Sequence, residues 1–458
     1  MGTEPEEIQA LPGPHRRKHY TKVLVMVILA IALVGALATI VISSSVVSRA
    51  KISQHTAPPQ HTQPASTAPP PRLSGAQVVA QQFMQAFLQR HYHTMWSLLS
   101  PQVRALWPSE TAYAAYWPVR FRDYTLTGFT QGKMSMLTHW TDPETMLHYN
   151  EVVKIPLSLQ LDPTFTAQQW PQAPPEDLRP QQIFQNLPFI VQRASARWLV
   201  LEGGPADLEA PILPPLHPVN RSVQVPILMY HSITNAPTNN VLDESLTVVP
   251  ALFSQQMDSI KSHGYHTITY NQLFDALYYG GPLPSRPIIL TFDDGHENNY
   301  QFAFPILQAH GFSGMFFIIT GEIGWQGQMS WPQLRQMLAD GMQIGSHTVH
   351  HVDLNVTYLD SPALAQQEMQ QAQLTLEQGL RIPIQQFCYP AGEPFHHGSL
   401  YVQQQLVSML AADGYVGGTT DPGATGTWQS SQLPFELLRV RVDGRESLLD
   451  FIYSLPWH

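Results

Sequence analysis

Four side chains in two short clusters carry the clearest chemistry in this sequence. Asp293 and Asp294 sit side by side in TFDDG (291–295), and His347 and His351 sit four apart in SHTVHH (346–351). An isolated Asp-Asp-Gly is ordinarily a turn. Two adjacent carboxylates directly after an apolar run can do more. One can ligate a cation while its neighbour, kept ionised by that cation, works as a general base. His347 and His351, at i and i+4, can face one side of a helical turn and share an ion, with His350 pointing elsewhere. Asp294, His347 and His351 would then form a His, His, Asp site with open positions, a donor set suited to zinc, with cobalt, nickel or manganese as substitutes. A divalent ion lowers the pKa of bound water from 15.7 to about 7, and a carboxylate that takes its proton lets it attack a carbonyl. A backbone N–H in the Pro390-Ala391-Gly392 turn is a suitable oxyanion donor.

The elements that must position these groups recur regularly after residue 223. Apolar runs at 225–230, 287–292, 314–320, 342–345, 386–389, 414–418 and 437–442 alternate with helical patterns at 250–263, 271–279, 300–310, 332–340, 363–380, 400–412 and 448–454. Continuous apolar strands separated by helices predict a parallel sheet covered on both faces. Seven such units predict a (β/α) barrel or a distorted version of one. Polar clusters follow four of the runs: His231-Ser232, Asp293-Asp294-Gly295, Ser346–His351 and Pro390–Gly392. In a parallel barrel these strand ends converge on the face where active sites are built.

The three phrases TFDDG, SHTVHH and FCYPAG, in this order, resemble motifs of the NodB-like polysaccharide deacetylases, carbohydrate esterase family 4. The resemblance extends over 223–458, and VPILMYHSI, GYHTIT and WPQLRQMLADGMQIGSHT resemble the branch acting on poly-N-acetylglucosamine and related exopolysaccharides. It implies a distorted (β/α) barrel. It also implies Asp293 as general base, Asp294, His347 and His351 as metal ligands, and the Ala391 N–H as oxyanion donor. The expected reaction is metal-dependent removal of N-acetyl or O-acetyl groups from a cell-surface or cell-wall polysaccharide containing N-acetylhexosamine. Two motif positions depart from the family. Cys388 stands where an arginine usually braces the catalytic aspartate, and Ala391 where a tyrosine follows the proline. The usual C-terminal leucine-x-x-histidine is absent, which would pass the general-acid role to His231. The alternative for His231 is a buried histidine satisfying strand-end carbonyls. Cys388 reads as a small buried thiol rather than a nucleophile. Trp325, Trp331 and Phe395 could stack on sugar rings or serve the core and rim.

The rest of the 458-residue chain sets the context. Residues 23–42 form an apolar run of about 30 Å as a helix, preceded by Arg16, Arg17, Lys18 and Lys22. This predicts a single membrane anchor after a cytoplasmic tail (1–22), with the bulk extracytoplasmic. A Pro/Thr/Gln-rich spacer follows (43–73). Residues 74–202 read as a small α+β domain, whose helical start resembles nuclear transport factor 2-like folds, and 203–222 as a Pro-rich linker. A net charge of −10 without a long basic block excludes a nucleic-acid partner, and one cysteine excludes an intrachain disulfide. Two other readings are an inactive carbohydrate-binding scaffold on the same fold and a glycoside hydrolase. The latter needs separated carboxylates and leaves both histidines unexplained.

Overall fold

The computed structural model describes residues 71–164, 182–195, 197–203, 212–215, 219–421 and 426–456. The apolar run 23–42 and the spacer lie outside the described residues. Among those described, no helix is long and apolar enough to cross a membrane.

The middle segment opens with helices Pro71–Leu88, Tyr92–Leu98, Pro101–Ala105 and Glu110–Arg120. Ser100 and Ser109 cap the third and fourth by accepting from the backbone N–H groups of Val103 and Ala112. Two antiparallel sheets follow. One pairs Tyr124–Gln131 with Leu157–Pro163 and then Gln182–Leu187. The other runs from Ser135–Thr141 through His148–Lys154 and Phe189–Ala194 to Arg197–Gly203. The buried stripe of the first helix includes Val79, Phe83 and Phe87, with Phe83 packed edge-on against Phe189 of the second sheet. This hydrophobic core continues without a break into the C-terminal segment.

The seven apolar runs after residue 223 each overlap a strand, with β4 and β6 reaching one residue past theirs: β1 (Ile227–Tyr230), β2 (Pro287–Phe292), β3 (Met315–Ile318), β4 (Gln343–Ser346), β5 (Gln386–Cys388), β6 (Gly417–Thr419) and β7 (Val440–Arg441). They are parallel neighbours in the order β6-β5-β4-β3-β2-β1-β7. A parallel bridge between Thr419 and Leu437, with Leu437 N–H donating to Gly418 O at 2.9 Å, joins β6 to the segment entering β7. With His266–Thr267, which pairs parallel with β2, the sheet holds eight strands, a half-barrel of parallel strands that fits a (β/α) barrel.

Residue parity divides each strand between two environments. Tyr230, Phe292 and Phe316 stack across three adjacent strands, with centroids 5.3 and 4.6 Å apart, and Phe253 of helix Pro250–Ser262 meets the first two edge-on. Each such contact adds about 0.5–1.5 kcal/mol beyond the area it buries. On the opposite parity Ile289 and Thr291 lead to Asp293, which the fold thereby aims into the barrel. Tyr270 fills the interior near the β6 end, bonded to Thr419 Oγ1 at 3.0 Å and edge-on to Phe317.

Candidate active site

The polar clusters predicted at strand ends meet at the C-terminal end of the barrel. Asp294 and Gly295 follow β2 with φ of 71° and 76°, and in the turn after β4 Thr348 and His351 have φ of 64° and 53°. Ala391, in the turn after β5, has φ 52°. Four non-glycine residues in left-handed backbone after β2, β4 and β5 mark strain held by the surrounding fold. His347 and His351 are brought together differently from the sequence expectation. Residues 347–351 form a tight turn rather than a helical one. The sharp reversal at Thr348 and His351 brings the rings to 4.8 Å between centroids. His350 does point away, pairing with Glu368 Oε1 at 2.7 Å.

Asp294 Oδ1 lies 3.4 Å from His347 Nε2 and 3.5 Å from His351 Nε2. The three donor atoms all lie within 4.8 Å of one another. His347 Nδ1 is 2.8 Å from Cys388 O, and since a carbonyl only accepts, Nδ1 carries the proton. With Nδ1 protonated, Nε2 faces Asp294 Oδ1, which is buried without a hydrogen-bond partner. Burial lowers the His347 pKa, but Cys388, Asp294 and Asp293 outweigh it and raise it well above the usual value, so Nε2 carries a proton that a divalent ion held by Asp294, His347 and His351 would displace. Asp293, His347 and Cys388 form an overlapping set. That set is the poorer one, because Asp293 is committed elsewhere and burial raises the Cys388 thiol pKa.

Asp293 is fully buried, and its Oδ1 accepts from Arg439 Nη1 at 2.8 Å. Arg439 is itself 1% exposed and is held by Thr420 O at 2.7 Å and Thr291 Oγ1 at 3.3 Å. Burial pushes the Asp293 pKa up, but Arg439, His231 and His347 outweigh it and hold the carboxyl below its usual range. The expectation that the aspartate lacks its arginine is thus corrected: Arg439, just before β7, supplies the brace that position 388 does not. LLRVRV places 437, 439 and 441 on one side of a strand, and an arginine inside a barrel needs a carboxylate. That signal was available in the sequence.

Asp293 Oδ2 faces Cys388 Sγ at 3.5 Å and His231 Nε2 at 3.9 Å. His231 follows β1, and its carbonyl accepts from Asn299 Nδ2 at 2.7 Å. Burial lowers its pKa, against the pull of Asp293 and Asp294, so it rests as neutral imidazole near pH 7. His296, which the motif reading passed over, places Nε2 3.3 Å from Asp294 Oδ2. Asp294 thus offers one oxygen to His296 and the other to His347 and His351. Burial raises its pKa, yet the neighbouring His296 and His347 hold it well below the usual range.

The proposed sugar contacts separate in the structure. Trp325 is 63% exposed, on a loop tied to the His347 turn by Gly321 N–H to Val349 O (2.9 Å) and to the Asp294 loop by Met329 N–H to Gly295 O (2.9 Å). Phe395 packs edge-on against Tyr389 at 5.0 Å, beside the Ala391 turn. Trp331 opens helix Trp331–Ala339 and packs on Gly379 of helix Pro362–Leu380, away from the rim.

Carboxylates and histidines gathered at the C-terminal end of the parallel strands occupy the face where active sites are built in such α/β folds. Residues 280–408 match the polysaccharide deacetylase family model. A Bacillus subtilis (strain 168) protein named as a polysaccharide deacetylase, YxkH, is 29% identical over 222 residues, covering 48% of this chain and 72% of its own. A poly-beta-1,6-N-acetyl-D-glucosamine N-deacetylase of Staphylococcus aureus (strain MSSA476) is 30% identical over 122 residues, which is 24% of this chain and 41% of that protein. The structure of the Streptococcus pyogenes deacetylase PplD in complex with acetate is 26% identical with a TM-score of 0.45, covering 51% of this chain and 99% of that one. Over residues 280–408 the chain carries a polysaccharide deacetylase domain, and its relatives support a deacetylase-type hydrolase.

Proposed function

We propose that this deacetylase removes N-acetyl groups from an exopolysaccharide of the poly-N-acetylglucosamine kind, with a divalent ion, most readily zinc, held by Asp294, His347 and His351. The observation that carries the reading is Asp293. It is a buried, arginine-braced carboxylate whose other oxygen faces Cys388 Sγ and His231, directly beside that donor set. A bound ion would polarise the acetyl carbonyl and acidify water. Asp293 Oδ2 takes the proton from the attacking water while Arg439 holds Oδ1 in place. The Ala391 N–H donates to the oxygen that gains charge. Because His231 rests neutral, the proton it delivers to the departing amine is the one collected at Asp293, 3.9 Å away.

The polymer follows from what the S. aureus relative is named for. The extracytoplasmic location and the single anchor at 23–42 follow from the charge and length of that run. Acetate release by metal-loaded protein, measured on poly-N-acetylglucosamine, peptidoglycan and O-acetylated exopolysaccharide, tests the reading. It requires release from the first, loss on chelation and loss in Asp293→Asn. Unchanged release by Asp293→Asn would sink the mechanism, and preference for another polymer would sink the substrate assignment.

A further inference from the structure

Two charged side chains beside the catalytic groups have no part in the proposed reaction. Arg441 Nη2 and Asp421 Oδ2 face each other at 3.7 Å, with Arg441 39% and Asp421 19% exposed. Alternate residues of a strand share a side, so Arg441 follows Arg439 on the side that carries the brace to Asp293. Asp421 follows Thr420, whose carbonyl accepts from Arg439 Nε at 2.7 Å. Asp421 also lies against the oxyanion turn. A Cβ on Gly392, at φ 72°, would stand 2.9 Å from the Asp421 Cβ, and the Asp421 carbonyl is 3.1 Å from His396 Nε2. Close contacts therefore connect this pair both to the arginine that holds Asp293 and to the turn that offers the Ala391 N–H.

An approach of 3.7 Å between partly exposed charges is beyond hydrogen-bond distance and contributes little to stability. Asp443, two residues beyond Arg441, is engaged by Arg445, Nε to Oδ1 at 2.8 Å. A carboxylate that only accepts thus stands beside a guanidinium that only donates, and solvent reaches both. A hydroxyl donates and accepts, so it satisfies the two together. A substrate carboxylate would meet Asp421, and an ammonium would meet Arg441.

We propose that Arg441 and Asp421 bind hydroxyls of the sugar whose acetyl group is removed, and so make the site specific for a glycan over other acetylated compounds. The proposal rests on the deacetylation read from Asp293 and the Ala391 turn, and not on which polymer is the substrate.

Steady-state acetate release from a defined N-acetylglucosamine oligomer, compared with release from phenyl acetate, tests this, because the ester has an acetyl group and no sugar hydroxyl. Arg441→Met should raise KM for the oligomer about tenfold or more, the loss of a hydrogen bond to a charged donor. Its loss in kcat/KM should be about tenfold greater on the oligomer than on the ester. Asp421→Asn should act in the same direction, and Arg441→Lys, which keeps a charged donor, should recover part of the oligomer KM. Equal losses on the two substrates would make the pair a support of the turn. An unchanged oligomer KM in Arg441→Met would mean that no hydroxyl is held there. Either result overturns the proposal. Wild-type protein that spares this oligomer but releases acetate from peptidoglycan or an O-acetylated exopolysaccharide sinks the polymer assignment alone, and the same comparison on that glycan then decides the role of the pair. Wild-type protein that hydrolyses only the ester sinks both.

Discussion

Arg439 Nη1 meets Asp293 Oδ1 at 2.8 Å with both side chains buried, linking the last strand of the barrel to the carboxylate after its second. Thr420 O and Thr291 Oγ1 hold the guanidinium from other sides. Removing one member of such a buried pair leaves an uncompensated charge, at a cost of about 3–5 kcal/mol. Arg439→Met is therefore expected to lose stability on that scale in chemical denaturation, together with activity. Arg439→Lys should retain more stability than Met, yet lose activity, because an ammonium cannot reproduce the fork. A Met variant as stable as wild type would mean that Asp293 is not held as a buried ion.

His231 gives a signed pH prediction. Burial depresses its folded pKa below the ordinary 6.5. A depressed group contributes stability above its unfolded pKa and loses it as pH falls. The stability advantage of wild type over His231→Gln should then be largest at pH 7–8 and shrink toward pH 5. Asp293 is also depressed, but its contribution is lost only below the ordinary carboxylate range near 3.8, so it does not contaminate this window. General acid–base groups contribute typically 10²–10⁴-fold, so His231→Gln should lower kcat by about that factor. A pH-independent stability difference would place His231 outside the buried, neutral state.

His296 should matter through Asp294. It occupies Oδ2 at 3.3 Å and leaves Oδ1 turned to His347 and His351. Residues that orient a metal ligand typically alter affinity 10–100-fold when removed. Competition with a chromophoric chelator should show His296→Ala weakening zinc binding by about that factor, and His296→Gln, which keeps an N–H donor, restoring much of it. Equal losses in both variants would make His296 a direct ligand instead.

The parallel sheet was legible because strands buried on both faces leave unbroken apolar runs, and each of the seven runs overlaps a strand. Asp293, Asp294, His347 and His351 were legible because strand ends must converge. The way they converge was not. The His347–His351 turn depends on left-handed backbone at Thr348 and His351, which neither residue type announces. The partner of Arg439 was hidden by distance: 146 residues separate it from Asp293, and they meet because the segment entering β7 lies against β1, the neighbour of β2. Arg120 and Asp275 were hidden likewise, since their pairing needs the middle segment docked on the barrel.

Trp325 and Phe395 should respond differently to truncation. Trp325 is mostly exposed, and its loop is clamped to the turns that carry Asp294 and His347, so its ring is available to a sugar without supporting the core. Losing one aromatic contact of about 0.5–1.5 kcal/mol corresponds to a change of roughly two- to tenfold. Trp325→Ala should raise KM for polymer by that amount, leave kcat near wild type and shift stability by no more than about 0.5 kcal/mol. Phe395 instead packs on Tyr389 next to the Ala391 turn. Phe395→Ala should therefore disturb the oxyanion donor and lower kcat as well as stability. Steady-state kinetics on a defined N-acetylglucosamine oligomer separate the two. A fall in kcat with unchanged KM in Trp325→Ala would place that ring in support of the turns rather than against substrate.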